Sequence, residues 1–301
     1  MKKILILVER LDRKKKILTN YLNKNSDAKY KVFLYKFSDL LFDIKTNSVQ
    51  ILINGKVDIA SFNLVFIRRA GGKYTPFTGA IVKYLDFRKV DFIDPALREI
   101  GLTMDKASTS TRLAMRNIPM PDTYFCFRDS IEKFKLKISE DLSFPIIAKG
   151  IGSQRNEAIY ILRSIQDFEE LMSKSKDEFI FQKYISIKKE FRLLVMGGEV
   201  KVLELKSKRN YSSQKVEYID PNEPSVFLNL SLVSKQMKDL AVECARLLSL
   251  DLAGVDICIE KETNTNYVFE VNRGPGILPD PNKSPELKAF SDYFKKRLTN
   301  D

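Results

Sequence analysis

The sequence predicts a mixed α/β and α+β protein in three segments, residues 1–104, 105–186 and 187–301. Three observations carry that expectation. Short, continuous apolar runs near the amino terminus alternate with polar helical stretches, as buried parallel strands and their crossovers do. Further along, the runs are divided by turns marked with Pro, Gly and Asn, as antiparallel pairing requires. Finally, 301 residues can bury enough apolar surface for two or three compact units.

Taken in order, Ile4 to Val8 reads as a buried parallel strand. It ends at Glu9 and Arg10, too short for a secretory core of about 7–15 apolar residues. A polar helix and a second strand, Tyr30 to Tyr35, follow. Val49 to Ile53, with Asn54-Gly55 as a turn, and Leu64 to Ile67 are expected to continue the strand-and-helix alternation up to Phe92–Pro95. A helix over 105–117 stops before Pro119 and Pro121. Strands are expected at 124–127, 145–149, 158–162 and 178–182, with helices near 129–137 and 166–174. In the last segment, Phe191 to Met196 and Glu199 to Leu205 form a hairpin through Gly197-Gly198. Ser234 caps an amphipathic helix whose apolar face holds Met237, Leu240, Ala241, Cys244, Ala245 and Leu248.

Composition narrows the chemistry. No stretch reaches the roughly 18 apolar residues of a membrane helix, so no membrane partner is expected. Cys126, Cys244 and Cys258 have neither disulfide-framework nor metal-ligand spacing, which points to the cytoplasm. With no histidine in the chain, imidazole general bases, Ser-His or Cys-His nucleophiles and histidine-ligated zinc are excluded. The formal charge of +12 suits a solvated lysine-rich surface; the functional alternative is affinity for nucleotide phosphates, an acidic peptide or nucleic acid. The tight basic run Arg13–Lys16 has no interleaved aromatics to stack bases, so nucleic acid is not the expected partner.

The most informative stretch is Ala253–Glu260 followed by Tyr267–Asn272, two alternating runs around a polar break. With the turn centred on Thr263, Asp256 lies opposite Glu270, and Asn272 lies two residues on along the same face. Val255, Ile257 and Ile259 against Tyr267, Phe269 and Val271 would form the core face. Like charges opposed across a ladder are destabilising, so a positive partner is expected. Two carboxylates and an amide oxygen make a hard, all-oxygen site of the kind magnesium prefers. The same pattern also suits a solvated strand face whose charges never meet.

Lysines supply the complementary charge. Lys149 ends an apolar strand and enters the loop Gly150-Ile-Gly152-Ser153, where backbone N–H groups can approach an anion; a plain strand-end lysine is the alternative. Lys106 begins its helix. Phe179–Gln182 runs into the connector Lys183-Tyr184-Ile185, whose backbone can pair with an adenine rim, although a core strand looks the same. Glu190 and Arg192 sit two apart on one strand face and read most simply as a surface ion pair.

In this order, these pieces resemble the ATP-grasp superfamily, and within it the RimK-type peptide and amino-acid ligases, including graspetide-cyclising ligases. The resemblance runs from about residue 90 to 280, through Asp105-Lys106, Ile118–Thr123, Pro145–Lys149, Gln182–Ile185, Glu190-Phe191-Arg192, Gly254-Val255-Asp256, Glu270-Val271-Asn272 and Pro275-Gly276. Arg68-Arg69 is similar to a paired arginine of the graspetide group.

The resemblance implies an ATP-grasp fold: an N-terminal Rossmann-like domain, a lid subdomain and a C-terminal domain. It implies ATP as cofactor, with Lys106, Lys149, Gly152 and Ser153 toward its phosphates. Gln182, Lys183 and Ile185 would meet adenine and Glu190 the ribose. Asp256, Glu270 and Asn272 would carry magnesium, as two ions, with manganese as a substitute. The implied reaction activates a carboxylate as an acyl phosphate and joins it to an amine on a peptide, protein or amino acid. Arg192, with Lys206, Lys208 or Arg209, would steady the developing oxyanion. Two departures stand out: Gln154-Arg155-Asn156-Glu157 replaces the usual glycines of the lid loop, and Ile259 stands where some relatives carry arginine. The alternative functions are a kinase passing phosphate to a hydroxyl, and a nucleotide-binding regulatory protein with weak turnover.

Overall fold

In the computed structural model, the first apolar run forms β1 (Lys2–Val8), with Leu5 to Val8 buried. It is followed by α1 (Arg13–Lys24), β2 (Tyr30–Lys36), β3 (Leu40–Lys45), β4 (Ser48–Ile53), β5 (Val57–Asp58), β6 (Leu64–Arg68), α2 (Thr75–Phe87) and β7 (Asp91–Ile93). The structure describes residues 1–24, 26, 29–68, 74–93, 95–98, 106–151, 158–206, 209–210, 217–218, 225–272, 275, 278, 280 and 282–299. Strands β2, β1, β6 and β7 lie side by side in that order, all parallel. This is the buried parallel sheet that the continuous apolar runs demand.

The run Val49–Ile53 does not belong to that alternation. It forms β4, the partner of β3 in an antiparallel hairpin with Lys45 opposite Ser48. The two-residue turn Thr46-Asn47 between apolar runs is the local cause, and the expected strand–helix reading is corrected here. The Asn54-Gly55 turn is as expected, with both residues at positive φ (54° and 70°), and carries the chain into β5.

The chain continues through α3 (Lys106–Ala114), β8 (Thr123–Cys126), α4 (Ile131–Leu142), β9 (Ile146–Gly150), β10 (Ile159–Leu162), α5 (Ile165–Lys174) and β11 (Phe179–Lys183). A seven-stranded sheet runs β10-β9-β11-β8-β3-β4-β5 among the described residues, antiparallel throughout. Residues 40–58 therefore share a sheet with strands of the 105–186 segment. Its core packs Tyr124, Phe134, Phe168, Phe179 and Phe181 against Ile131, Ile138 and Leu142. Compact packing divides the chain into Met1–Asn117 with Asp122–Tyr184, and Ile118–Pro121 with Ile185–Asp301.

The second unit contains β12 (Ile187–Met196), β13 (Glu199–Leu205), β14 (Arg209–Asn210), β15 (Glu217–Tyr218), β16 (Val226–Leu228), α6 (Lys235–Leu247), β17 (Leu252–Glu260), β18 (Asn266–Asn272) and α7 (Pro285–Thr299). Its main sheet has the order β16-β13-β12-β17-β18, all antiparallel. Gly197 and Gly198 turn β12 into β13 at φ 57° and 79°, and a Cβ on Gly197 would lie 2.9 Å from the Tyr293 ring. Ser234 Oγ accepts the Met237 N–H at 3.1 Å, capping α6, whose Met237, Ala241, Cys244 and Ala245 are buried. The segment Ile118–Pro121 is held through Pro119, whose carbonyl accepts the Val268 N–H at 2.8 Å.

Candidate functional site

The second unit's sheet builds one face by register. Asp256 pairs with Glu270, and Gly254 with Asn272; directly opposed residues in a ladder point to the same side. The two carboxylates and the amide therefore share a face, as the sequence pattern requires. The pairing depends on an irregularity. Toward the turn the ladder shifts by one residue between Asp256 and Ile257, so that Ile257 meets Val268. This β-bulge corrects the expected core face: Val268 and Val271 are buried, at 3% and 5% exposure, whereas Tyr267 and Phe269 are half-buried.

The same row continues across the sheet. Arg192 pairs with Asp256 on one side and with Glu204 on the other, so Glu204, Arg192, Asp256 and Glu270 stand in line on four neighbouring strands. Arg192 grips Asp256 in bidentate fashion, Nε to Oδ1 at 2.7 Å and Nη2 to Oδ2 at 2.8 Å. The Asp256 side chain is only 4% exposed and that of Arg192 18%. Burial alone would lower the Arg192 pKa; the Asp256 carboxylate, through charge and hydrogen bonding and with Glu204 and Glu270 behind it, outweighs burial and raises it. Arg192 thus stays charged. The expected Glu190–Arg192 surface pair is corrected: the arginine's partner is Asp256, because strand register sets them opposite, and Glu190 is buried at 6% exposure.

Gly254 makes this geometry sterically feasible. A Cβ there would lie 2.7 Å from Pro275 Cβ and 3.5 Å from Arg192 Cδ. Beyond it on the same face, Leu194, Met196, Val202 and Leu252 pack under Phe290 and Tyr293 of α7. The polar row therefore borders an apolar floor. The opposite face of these strands holds Leu193, Leu203, Val255 and Ile257, each 0% exposed.

Glu204 was not legible as a site residue. Counting symmetrically outward from Gly197-Gly198 puts Leu203 opposite Arg192; a register shift between Leu194 and Val195 substitutes Glu204. Ser225 Oγ donates to Glu204 Oε1 at 2.8 Å.

The first unit gathers another set. Lys106 Nζ, at the start of α3, donates to the Gly150 carbonyl at 3.1 Å, beside Lys149 in β9. Lys149 lies between Ile159 of β10 and Ile180 of β11. Gln182 is buried at 3% exposure; its Nε2 donates to Thr123 Oγ1 at 2.9 Å, while its buried Oε1 has no hydrogen-bond partner. Lys183 is exposed, and its N–H bonds the Asp122 carbonyl at 2.9 Å. In the second unit Ile185 is buried, and Lys206 N–H donates to the Glu190 carbonyl at 2.9 Å. Arg209 is a backbone position in β14. Gly152, Ser153, Arg155 and Lys208 lie outside the described residues.

The acidic row fits a hard divalent cation. Three carboxylates face one guanidinium, a deficit of two positive charges, and the donors are oxygens. The Asn272 Nδ2 is buried on this face without a hydrogen-bond partner; as a donor it suits an anionic oxygen, while the amide oxygen is the atom a cation could use. Among the described residues no group of three or more His, Cys, Asp or Glu side chains is gathered closely enough to hold a metal ion by itself.

A parallel sheet, an antiparallel sheet carrying a lysine strand, and an acid-bearing hairpin are the parts of an ATP-grasp protein. A D-alanine--D-alanine ligase from Bacillus anthracis has the same fold, with a TM-score of 0.50 over 99% of this chain and 95% of that one at 17% identity. The model of the RimK-like ATP-grasp domain matches residues 103–281, and the chain belongs to that family. It is 26% identical over 188 residues to beta-citrylglutamate synthase B of Danio rerio, which covers 58% of this chain and 43% of that protein. It is also 26% identical over 210 residues to coenzyme gamma-F420-2:alpha-L-glutamate ligase of Methanocaldococcus jannaschii, covering 68% of this chain and 69% of that protein. The chain thus spans less than half the length of the first of these relatives.

Proposed function

We propose that this protein is an ATP-dependent ligase that activates a carboxylate as an acyl phosphate and joins it to an amine. The observation that carries the reading is the in-register Asp256–Glu270 pair with Asn272 on the same face. Family membership gives it its context, since the names of the relatives describe a synthase and a glutamate ligase.

In this reading Asp256, Glu270 and Asn272 hold magnesium, as two ions, with manganese able to substitute. Bound there, the metal neutralises phosphate charge and orients the transferring group. Lys106 and Lys149 add point charge toward the phosphates, with Gly152 and Ser153 as backbone donors. The orphaned Oε1 of Gln182 suits the amino group of adenine, with Lys183 and Ile185 as connector and Glu190 toward ribose hydroxyls. Arg192 steadies negative charge as it develops, together with Lys206 or Arg209. Residues 105–186 then supply the central helix and lid, residues 187–301 the metal-bearing part, and residues 1–104 strands for both sheets of the first unit.

The substrate carboxylate oxygen attacks the γ-phosphorus and ADP leaves. The amine nitrogen then attacks the acyl carbon, and phosphate leaves as a proton is lost from nitrogen. The protein's task is positioning and charge neutralisation, which a chain without histidine can perform.

We infer a peptide, protein or amino-acid substrate; the basic excess of 51 Lys and Arg over 39 Asp and Glu suits an acidic one. No described helix is long and apolar enough to cross a membrane, and the cytoplasm is our proposed location. Product analysis tests the reaction. A ligase releases phosphate from ATP only when both a carboxylate and an amine are supplied, and the amide appears in equal amount. Phosphate transferred to a hydroxyl instead would identify a kinase and refute the ligase reading.

A further inference from the structure

The acidic row contains a charge arrangement that the ligase reading leaves unused. Asp256 is the carboxylate expected to hold metal, yet both its oxygens accept hydrogen bonds from Arg192, at 2.7 and 2.8 Å. The carboxylate is buried, so a cation ligated by it would approach a guanidinium already seated on it. Two positive groups on one buried carboxylate repel, and the side chain is the one that can move. Somewhere for it to go is built in. Glu204 stands in register on the other side of Arg192, one strand spacing (about 4.8 Å) away, and Ser225 holds one of its oxygens.

We propose that Arg192 is a stand-in cation: in the metal-free chain it neutralises the row by gripping Asp256, and it yields Asp256 to the incoming divalent cation by moving onto Glu204. Glu204 is a positioning residue that acts through Arg192. Without nucleotide the charges close when both partners are present, because three carboxylates require one guanidinium and one divalent ion; the second ion of the ligase reading comes with the nucleotide's own phosphate charge. The device also explains how Asp256 and Glu270 can face each other in the metal-free protein despite their like charge. The inference rests on the metal reading of the same row and adds to it the order of events: cation loading and release of Arg192 from Asp256 are coupled.

Manganese binding by the intact chain without nucleotide, read by electron paramagnetic resonance, tests it. Arg192→Gln removes the competitor and tightens Mn²⁺ binding by at least about tenfold. Glu204→Gln leaves Arg192 no second carboxylate and weakens binding by several-fold, and Glu204→Asp restores most of it. In the Arg192→Gln background, Glu204→Gln loses most of its effect, because the residue it positions is gone. Glu270→Gln, which leaves the Arg192–Asp256 pair intact, is the control for the metal reading itself.

If Glu270→Gln weakens Mn²⁺ binding but Arg192→Gln does not tighten it, the metal site stands and the stand-in role is overturned. Equal effects of Glu204→Gln in both backgrounds overturn it as well. If wild type and Glu270→Gln bind Mn²⁺ alike, the metal reading fails and takes this inference with it. Should Arg192→Gln not fold, the wild-type protein decides through its ¹⁵N-arginine spectrum, with the Arg192 Nε–H assigned by its absence from Arg192→Lys. Saturating Mg²⁺ with ADP must shift that resonance and speed its solvent exchange; an unmoved resonance overturns the proposal.

Discussion

Asp256 has two tasks that pull in different directions. It is a designated oxygen donor for a cation, and it is also the buried counter-ion of Arg192. Its substitution is therefore ambiguous in a way that Glu270 is not. Asp256→Asn takes the bidentate partner from a guanidinium at 18% exposure; breaking such a pair costs at most about 3–5 kcal/mol, less whatever Arg192 regains on Glu204. We predict that Asp256→Asn abolishes magnesium-dependent ATP turnover and also lowers the urea midpoint. Glu270→Gln is predicted to lower turnover by at least about 100-fold with the midpoint unchanged. Turnover of Glu270→Gln at wild-type level would overturn its assignment as a ligand.

The Asp256–Glu270 pairing was legible in the sequence because alternation in two short runs fixes which residues share a face. It was legible for an incomplete reason, however. A turn centred on Thr263 gives the right partner only beyond the bulge, and nearer the turn the ladder is offset by one. Glu204 was hidden by a similar offset between Leu194 and Val195. Bulges come from local packing, here with apolar residues buried on both faces, and alternation does not report them. The bidentate Arg192 grip was equally invisible, since it joins residues 64 positions apart that only strand order brings together.

Strand β17 carries the site because it is an interior strand of its sheet, with β12 on one side and the edge strand β18 on the other. Gly254 within it is the point of closest approach. Gly254→Ala would force a methyl to 2.7 Å from Pro275 Cβ, while its 3.5 Å approach to Arg192 Cδ is an ordinary contact. The expected loss is about 1–3 kcal/mol, read as a lower urea midpoint. Unchanged stability would contradict the packing described. The hairpin of β3 and β4 was missed for a different reason: a continuous apolar run fits a parallel strand and a doubly buried antiparallel one equally well. Its turn, Thr46-Asn47, was the available signal.

For the chain as a whole, buried acids set the alkaline limit. Burial, with Glu243 adding to it, pushes the Cys244 thiol up to about 12. Burial also pushes Cys126 up, assisted by Glu178, and raises Tyr84 and Tyr124, with Asp58 and Asp141 contributing in turn. Each group is held protonated in the folded chain and ionises more readily when unfolded. Their stabilisation is therefore complete below the unfolded thiol value of 9.0 and is lost as pH rises from there toward about 12. We predict a urea midpoint that falls between about pH 8 and about pH 10, by roughly 1–2 kcal/mol for each thiol. A midpoint that holds or rises over that interval would contradict the burial of these groups.

The acid-bearing hairpin is expected to couple a divalent cation to a nucleotide. Calorimetric titration of ADP, with and without Mg²⁺, into wild type and Glu270→Gln addresses this directly. Mg²⁺ should tighten ADP binding to wild type by at least about tenfold and leave the affinity of Glu270→Gln unaltered. An equal gain in both proteins would mean that the cation is held elsewhere.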